Sequence, residues 1–260
     1  MSRKITVAAF LFLFGCVISA SAQKTQESPD TGTCSFSFST GAGDKSFQYC
    51  VTATGNIPQL DAPAGRQLLI GREGYGVCNE SPAQAYFDYA VAGESGNWNP
   101  PVTLNLTATS VKIARTTSDG VFTLTQTITL DKAAPGVKVV MALKNNTAVT
   151  RTVYLIRYAD VDSVDYPHNN FDGTANSAFG WGSTAGVNDG FGLVLKNVGI
   201  RWGYTNGFGQ SIFNPPNPCA FAFNWPGHIV TSADGSMVLA YVDSIAAGKT
   251  KTATMTYRGM

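Results

Sequence analysis

Asp160, Asp162, Asp165, His168, Asn169, Asn170 and Asp172 form the densest polar cluster in the chain, starting where an apolar run ends. A hard cation such as calcium takes roughly six to eight oxygen ligands, and carboxylates, amide carbonyls and backbone at this spacing can supply them. The glycine and closing glutamate of an EF-hand loop are missing, and Asp and Asn are also ordinary turn residues that bond their own backbone. Asp160, Asp162, Asp165 and Asp172 are thus candidate calcium ligands, with turn chemistry as the rival use. Paired carboxylates can also act as acid and base on a glycosidic bond, which makes Asp160 or Asp162 with His168 a candidate dyad. Outside the first residues the glutamates are few: Glu27, Glu73, Glu80 and Glu94. Only Glu73, in Gly71-Arg72-Glu73-Gly74-Tyr75-Gly76, sits in a context that suggests a held position. The second histidine, His228, follows Pro226-Gly227 and suits a sheet margin. The chain has no G-x-S-x-G serine elbow, no phosphate-cradling G-x-x-x-x-G-K-[ST] and no C-x-x-C pair, so no motif assigns a reaction.

Aromatic rings offer a third chemistry. Trp98, Trp181, Trp202 and Trp225 each neighbour Gly, Asn or Pro, and Tyr204 does the same. A flat ring flanked by amides and carboxylates matches a sugar, which presents an apolar C–H face and hydroxyls at its edge. Trp181, Trp202 and Tyr204 are the candidate ligand-binding residues; the alternative is that such rings plug the open ends of a sandwich.

The first 22 residues read as a secretory signal peptide: Arg3 and Lys4, an apolar run from Ile5 to Ile18, then Ala20-Ser21-Ala22 before Gln23. The run is too short to span a bilayer. Leu13-Phe14-Gly15-Cys16 departs from a lipoprotein signal in its bulky Phe14 and apolar Val17-Ile18, which argues against anchoring at Cys16. A secreted or periplasmic location is expected. Loss of Arg3 and Lys4 takes the formal charge from +1 to −1, which gives no overall electrostatic reason to seek nucleic acid or anionic lipid. Cys34, Cys50, Cys78 and Cys219 remain, an even set that in an oxidising compartment reads as two disulfides. Cys34 and Cys50 flank a hairpin-like stretch with a turn at Gly41 to Asp44, so Cys34–Cys50 and Cys78–Cys219 are the expected pairs.

These residues must be positioned by strands. Phe122, Leu124, Ile128 and Leu130 alternate with Thr123, Thr125, Thr127 and Thr129, a period that suits a strand with one apolar face. Val137 to Leu143 repeats it. Lys249 to Tyr257 sets four threonines against Ala253, Met255 and Tyr257, and Val153 to Tyr158 is apolar on both sides, as a strand covered on both faces would be. Shorter strands are expected at Arg66–Ile70, Ala85–Val91, Val102–Ala108, Val111–Arg115, Phe191–Lys196 and Met237–Val242. No stretch of ten residues has a helical period. The fold expected is all-β: an antiparallel two-sheet sandwich stapled by disulfides, one domain over 33–260 after a disordered lead-in at 23–32. Two stretches, Tyr166 to Gly190 and Arg201 to Pro218, read as long Gly- and aromatic-rich loops. The cysteines and irregular loops argue against a membrane β-barrel. Asn79, Asn105 and Asn145 open N-x-[ST] patterns, the first weakened by Pro82.

Three pieces, Leu124 to Asp131, Gly136 to Thr147 and Tyr154 to Asp162, resemble the central strands of β-supersandwich domains of the galactose-mutarotase-like type. The resemblance covers residues 121–165. It implies a supersandwich fold and a tilt toward carbohydrate; the histidine and glutamate pair of mutarotases finds no matching residues, so that activity is not implied. The leading expectation is a secreted, non-catalytic module that binds polysaccharide or cell-surface glycan. The alternatives are a carbohydrate-active enzyme using Asp and His groups, and a structural or adhesive envelope protein without a small ligand.

Overall fold

A computed structural model of the chain describes residues 32–132, 135–163, 168–184, 187–199, 202–210, 217–221 and 230–260. The expected signal peptide and nearly all of the lead-in lie outside these residues. The strands run in chain order as β1 (Phe36–Thr40), β2 (Phe47–Val51), β3 (Gln59–Asp61), β4 (Gln67–Asn79), β5 (Gln84–Tyr89) and β6 (Gly93–Glu94). They continue with β7 (Val102–Leu106), β8 (Ser110–Thr116), β9 (Phe122–Asp131), β10 (Gly136–Asn145), β11 (Arg151–Val161) and β12 (Asn169–Thr174). The last are β13 (Ser177–Thr184), β14 (Val187–Gly199), β15 (Tyr204–Gln210), β16 (Val230–Ala233), β17 (Ser236–Ile245) and β18 (Thr250–Gly259), with a single turn of helix, α1 (Pro218–Phe221), before β16.

Two nine-stranded antiparallel sheets result. The first runs β1-β2-β3-β4-β11-β17-β15, with β5 and β6 attached beside β4; the second runs β16-β12-β13-β14-β18-β10-β9-β8-β7. Strand period dictates the layering. In β9, Phe122, Leu124, Ile128 and Leu130 face inward and the threonines face out, and β10 and β18 keep the same phase in register with it. Their inner residues meet Val153, Leu155 and Val161 of β11 and Leu239 and Tyr241 of β17 in one core. As expected, β11 is buried on both faces: Tyr154, Ile156 and Tyr158 point away from the core. Both disulfides form as expected, Cys34–Cys50 and Cys78–Cys219, and such bonds fit an oxidising compartment outside the cytoplasm. No helix among the described residues is long and apolar enough to cross a membrane.

The stretches read as long loops contain strands: β12, β13 and the start of β14 occupy most of the first, and β15 takes Tyr204–Gln210 of the second. Glycine misled the reading, because here it marks close backbone approach rather than a turn. A Cβ on Gly173 would overlap the Gly207 carbonyl, one on Gly207 the Ser177 carbonyl, and one on Gly209 the Phe171 side chain. At this end β12 and β13 of the second sheet lie almost against β15 of the first.

Candidate functional site

The outward face of β11 leads to the site. Tyr158 and Ile156 pack with Tyr89, Phe208, Val238 and Ala240 in a second apolar cluster outside the main core. Tyr89 stacks on Phe87 at 5.4 Å and meets Tyr158 edge-on at 5.4 Å. Ser236 donates from Oγ to the Tyr158 hydroxyl oxygen at 2.7 Å. Burial first, then the nearby Asp160, pushes the Tyr158 phenol well above its ordinary range, so it works as a neutral hydrogen-bonding group.

Two residues further along β11 the same face presents Asp160. The next outward position is Asp162, and β17 is preceded by Asp234; carboxylate oxygens of all three lie within 4.8 Å of one another. Asp160 and Asp234 are only 3% and 4% exposed, whereas Asp162 is half-buried. Arg72 approaches the group, its Nη1 3.9 Å from Asp160 Oδ2. Its position follows from a bulge: Ala159 pairs with Glu73 but Val161 with Leu69, so extra residues of β4 stand opposite one of β11. Gly71 sits in the bulge at φ +82°, a left-handed conformation that glycine adopts without strain. Its N–H donates to the Pro58 carbonyl at 2.7 Å. The bulge sends Arg72 to the outer face and Glu73 to the inner one.

The neighbouring turns are tied down by amides. Asn169 Oδ1 accepts from the Ser163 N–H and hydroxyl at 3.2 and 3.1 Å, and Asn170 Oδ1 accepts from the Ser232 N–H at 3.0 Å. Three carboxylates, a guanidinium and a tyrosine thus meet at one end of an aromatic sheet face. Such a set can accept hydrogen bonds from hydroxyls, bind a hard cation, or exchange a proton.

The sequence candidates distribute unevenly. Asp160 and Asp162 come together, joined by Asp234. Asp172 does not join them: it pairs with Phe179 on the far side of β12, and its Oδ1 accepts the Gly173 N–H at 2.6 Å, the turn-type use. Asp165, Trp225 and His228 lie outside the described residues. His168 is half-buried and is not one of the three-carboxylate group. Trp202 is 4% exposed and packs on Tyr241 in the main core, with ring centroids 6.0 Å apart; it is a plug rather than a platform. Tyr204, two residues later, is 58% exposed and lies on the outer face of the first sheet. Trp181 is half-buried on β13, opposite Asn170 and Gly192 in the second sheet, so the three candidate rings do not share one surface. Trp98 is buried against Tyr75 and Tyr86, with Arg115 5.5 Å over its ring.

Glu73 is held, but inside. It forms a fully buried ion pair with Arg157 of β11, whose Nη2 lies 2.8 Å from Glu73 Oε2. Tyr257 of β18 donates to Glu73 at 2.6 Å, and Arg157 also donates to Gln126 of β9 at 2.7 Å and to the Gly55 carbonyl at 3.2 Å. Burial opposes the Arg157 charge, yet Glu73 and Tyr257 outweigh it and keep the guanidinium firmly protonated. With no exposed surface, this network ties the two sheets together and has no access to a ligand. Sequence reasoning missed Arg157 and Asp234. A lone arginine inside Val-Tyr-Leu-Ile-Arg-Tyr-Ala was the signal for the first; nothing distinguished Asp234 from a turn residue.

No protein-family model matches the chain, and no curated protein matches it either. Solved structures do. A bacterial glucoamylase complexed with acarbose superposes with a TM-score of 0.59 and 9% identity over 89% of this chain and 33% of the other; the chain spans about a third of that protein's length. A putative aldose 1-epimerase from Escherichia coli K12 gives 0.51 and 10% over 86% of this chain and 99% of its own. A galactose mutarotase-like protein from Lactobacillus casei ATCC 334 gives 0.49 and 9% over 86% and 100%. At these identities the first two likenesses speak for the fold alone, and the supersandwich resemblance read from residues 121–165 holds at that level.

Proposed function

We propose that the protein is a secreted carbohydrate-binding module whose ligand is an extended glycan on the outer face of the first sheet, reaching from the exposed ring of Tyr204, which pairs with Val242, to the carboxylates of Asp160, Asp162 and Asp234 beside Ser236, about 20 Å further along the strands. The observation that carries this reading is the convergence of the three carboxylates beside Arg72 at the end of an aromatic face. Carboxylate oxygens accept paired hydrogen bonds from sugar hydroxyls, and a tyrosine ring covers the apolar face of the sugar. Two proteins that share the fold, a glucoamylase complexed with acarbose and a putative aldose 1-epimerase, support a carbohydrate ligand. Three carboxylates this close repel one another unless positive charge stands among them. Arg72 supplies one such charge, and calcium held by Asp160, Asp162 and Asp234 supplies another in this reading.

A second reading, a carbohydrate-active enzyme, draws on the unequal burial of the group: half-buried Asp162 can exchange a proton with a ligand while the buried Asp160 and Asp234 stay fixed. One experiment addresses both. Purified protein is incubated with soluble and insoluble polysaccharides, with and without calcium, and both depletion of protein and release of saccharide are measured. Depletion without release, lost in Asp162→Asn, is the expected result; release abolished by the same variant makes the protein an enzyme. Neither depletion nor release across the panel overturns both and leaves a structural role.

A further inference from the structure

The opposite surface of the molecule, the outer face of the second sheet, carries a different chemistry. On β8, β9, β10 and β18 the outward residues are threonines, small side chains and Val140, interrupted by Lys112, Lys138, Lys144 and Arg258. Lys196 continues the face on β14, opposite Thr256. All four lysines are exposed. The acid on these four outward rows is Asp131, and Arg258 already pairs with it at 3.0 Å. The whole chain has a formal charge of only +1, so four exposed ammonium groups on one sheet face are a local concentration that net charge conceals. Their surroundings are regular. Lys138 stands between Thr129 and Thr256, and Lys144 between Thr123 and Thr250, in the register of β9, β10 and β18. These two ammonium groups are thus flanked by hydroxyls on both neighbouring strands, as Lys196 is by Thr256 and Ser177, while Lys112 has Thr127 on one side and Asn105 on the other. Lys138 and Lys196, two strands apart, are set about 10 Å from one another at the backbone.

We infer that this face binds an acidic polysaccharide, one carrying carboxylate or sulfate groups spaced by neutral sugar. Charge complementarity names the sign of the partner, and the spacing names its kind. Duplex DNA presents one charge per roughly 1.7 Å of axis and rewards dense basic contacts, whereas here single cations alternate with uncharged hydroxyls that suit sugar hydroxyls. The inference is independent of the outer face of the first sheet and survives if that site binds nothing.

The test uses the full-length mature protein on dextran sulfate, polygalacturonate and uncharged dextran at low and raised salt. Retention on at least one of the acidic polymers but not on dextran, released by salt, is expected, and the two acidic polymers separate sulfate from carboxylate recognition. The double variant Lys138→Gln/Lys196→Gln should bind at least tenfold more weakly with an unchanged unfolding midpoint. A control pair of equal charge loss on the first sheet, Lys45→Gln/Arg151→Gln, should bind as the parent does. The inference is overturned by absence of retention at low salt, by equal loss in the two pairs, or by duplex DNA or phosphatidylserine vesicles binding more tightly than either acidic polymer.

Discussion

Two positions separate Trp202 from Tyr204, yet the first ring packs on Tyr241 in the core while the second lies largely in solvent. Their substitutions should therefore part company. Trp202→Ala removes a buried indole and should cost about 3–5 kcal/mol in urea unfolding. Tyr204→Ala should move stability by about 0.5 kcal/mol or less while abolishing retention on the polysaccharide that the parent binds; a large loss of stability with Tyr204→Ala would place that ring in the packing instead. Composition cannot tell the two apart, since both aromatics sit beside glycine. The distinction comes from Trp202 lying before the strand and Tyr204 within it, a boundary that sequence patterns resolve poorly. Asp160 and Asp162 were legible because they end an apolar strand with period-two spacing. Asp234 was not, because its partners are some seventy residues earlier in the chain.

At the level of elements, alternation of threonine with large apolar residues made β9, β10 and β18 readable, down to which face is buried. β12, β13 and β15 were hidden because glycines there serve the contact between sheets, whereas the later part of β14 was legible as Phe191–Lys196. Gly207→Ala tests that account: its new Cβ would run into the Ser177 carbonyl across the sandwich, and backbone cannot swing aside as a side chain can. A loss of about 1–3 kcal/mol or more is expected from such overpacking, read by thermal unfolding. A neutral result would show that β15 is free to shift. The bulge in β4 was equally illegible. Its sign is one glycine in Gly71-Arg72-Glu73, and only the paired strand shows that Arg72 and Glu73 part to opposite faces there.

For the molecule as a whole, acid is the informative stress. Burial would raise the Asp119 carboxyl, but hydrogen bonds from Thr117, Tyr86 and the Val121 N–H outweigh it and hold it below the ordinary range. Asp243 is likewise held low, burial being outweighed by Lys251 and by the Ser244 and Gly203 N–H groups. Carboxyls that are more acidic folded than unfolded stabilise the fold above the unfolded value of about 3.9, and that contribution fades as pH falls through the folded value. The urea midpoint should thus hold between about pH 7 and 5 and decline below about pH 4. Asp119→Asn should lower the midpoint at neutral pH and flatten the acid decline; an unchanged pH profile would remove Asp119 from the account. The architecture, the disulfide pairs and the low net charge were open to reading from composition and spacing, whereas the sidedness of charge needed the strand register.

The bond between Cys78 and Cys219 joins positions 141 residues apart. A single peptide cleavage anywhere between them, in a hairpin turn or in a connection at the sheet margin, leaves both fragments covalently linked and interleaved in the same two sheets. A nicked molecule would keep its shape until a reductant separated the pieces, a tolerance for proteolytic damage that the intact chain never displays.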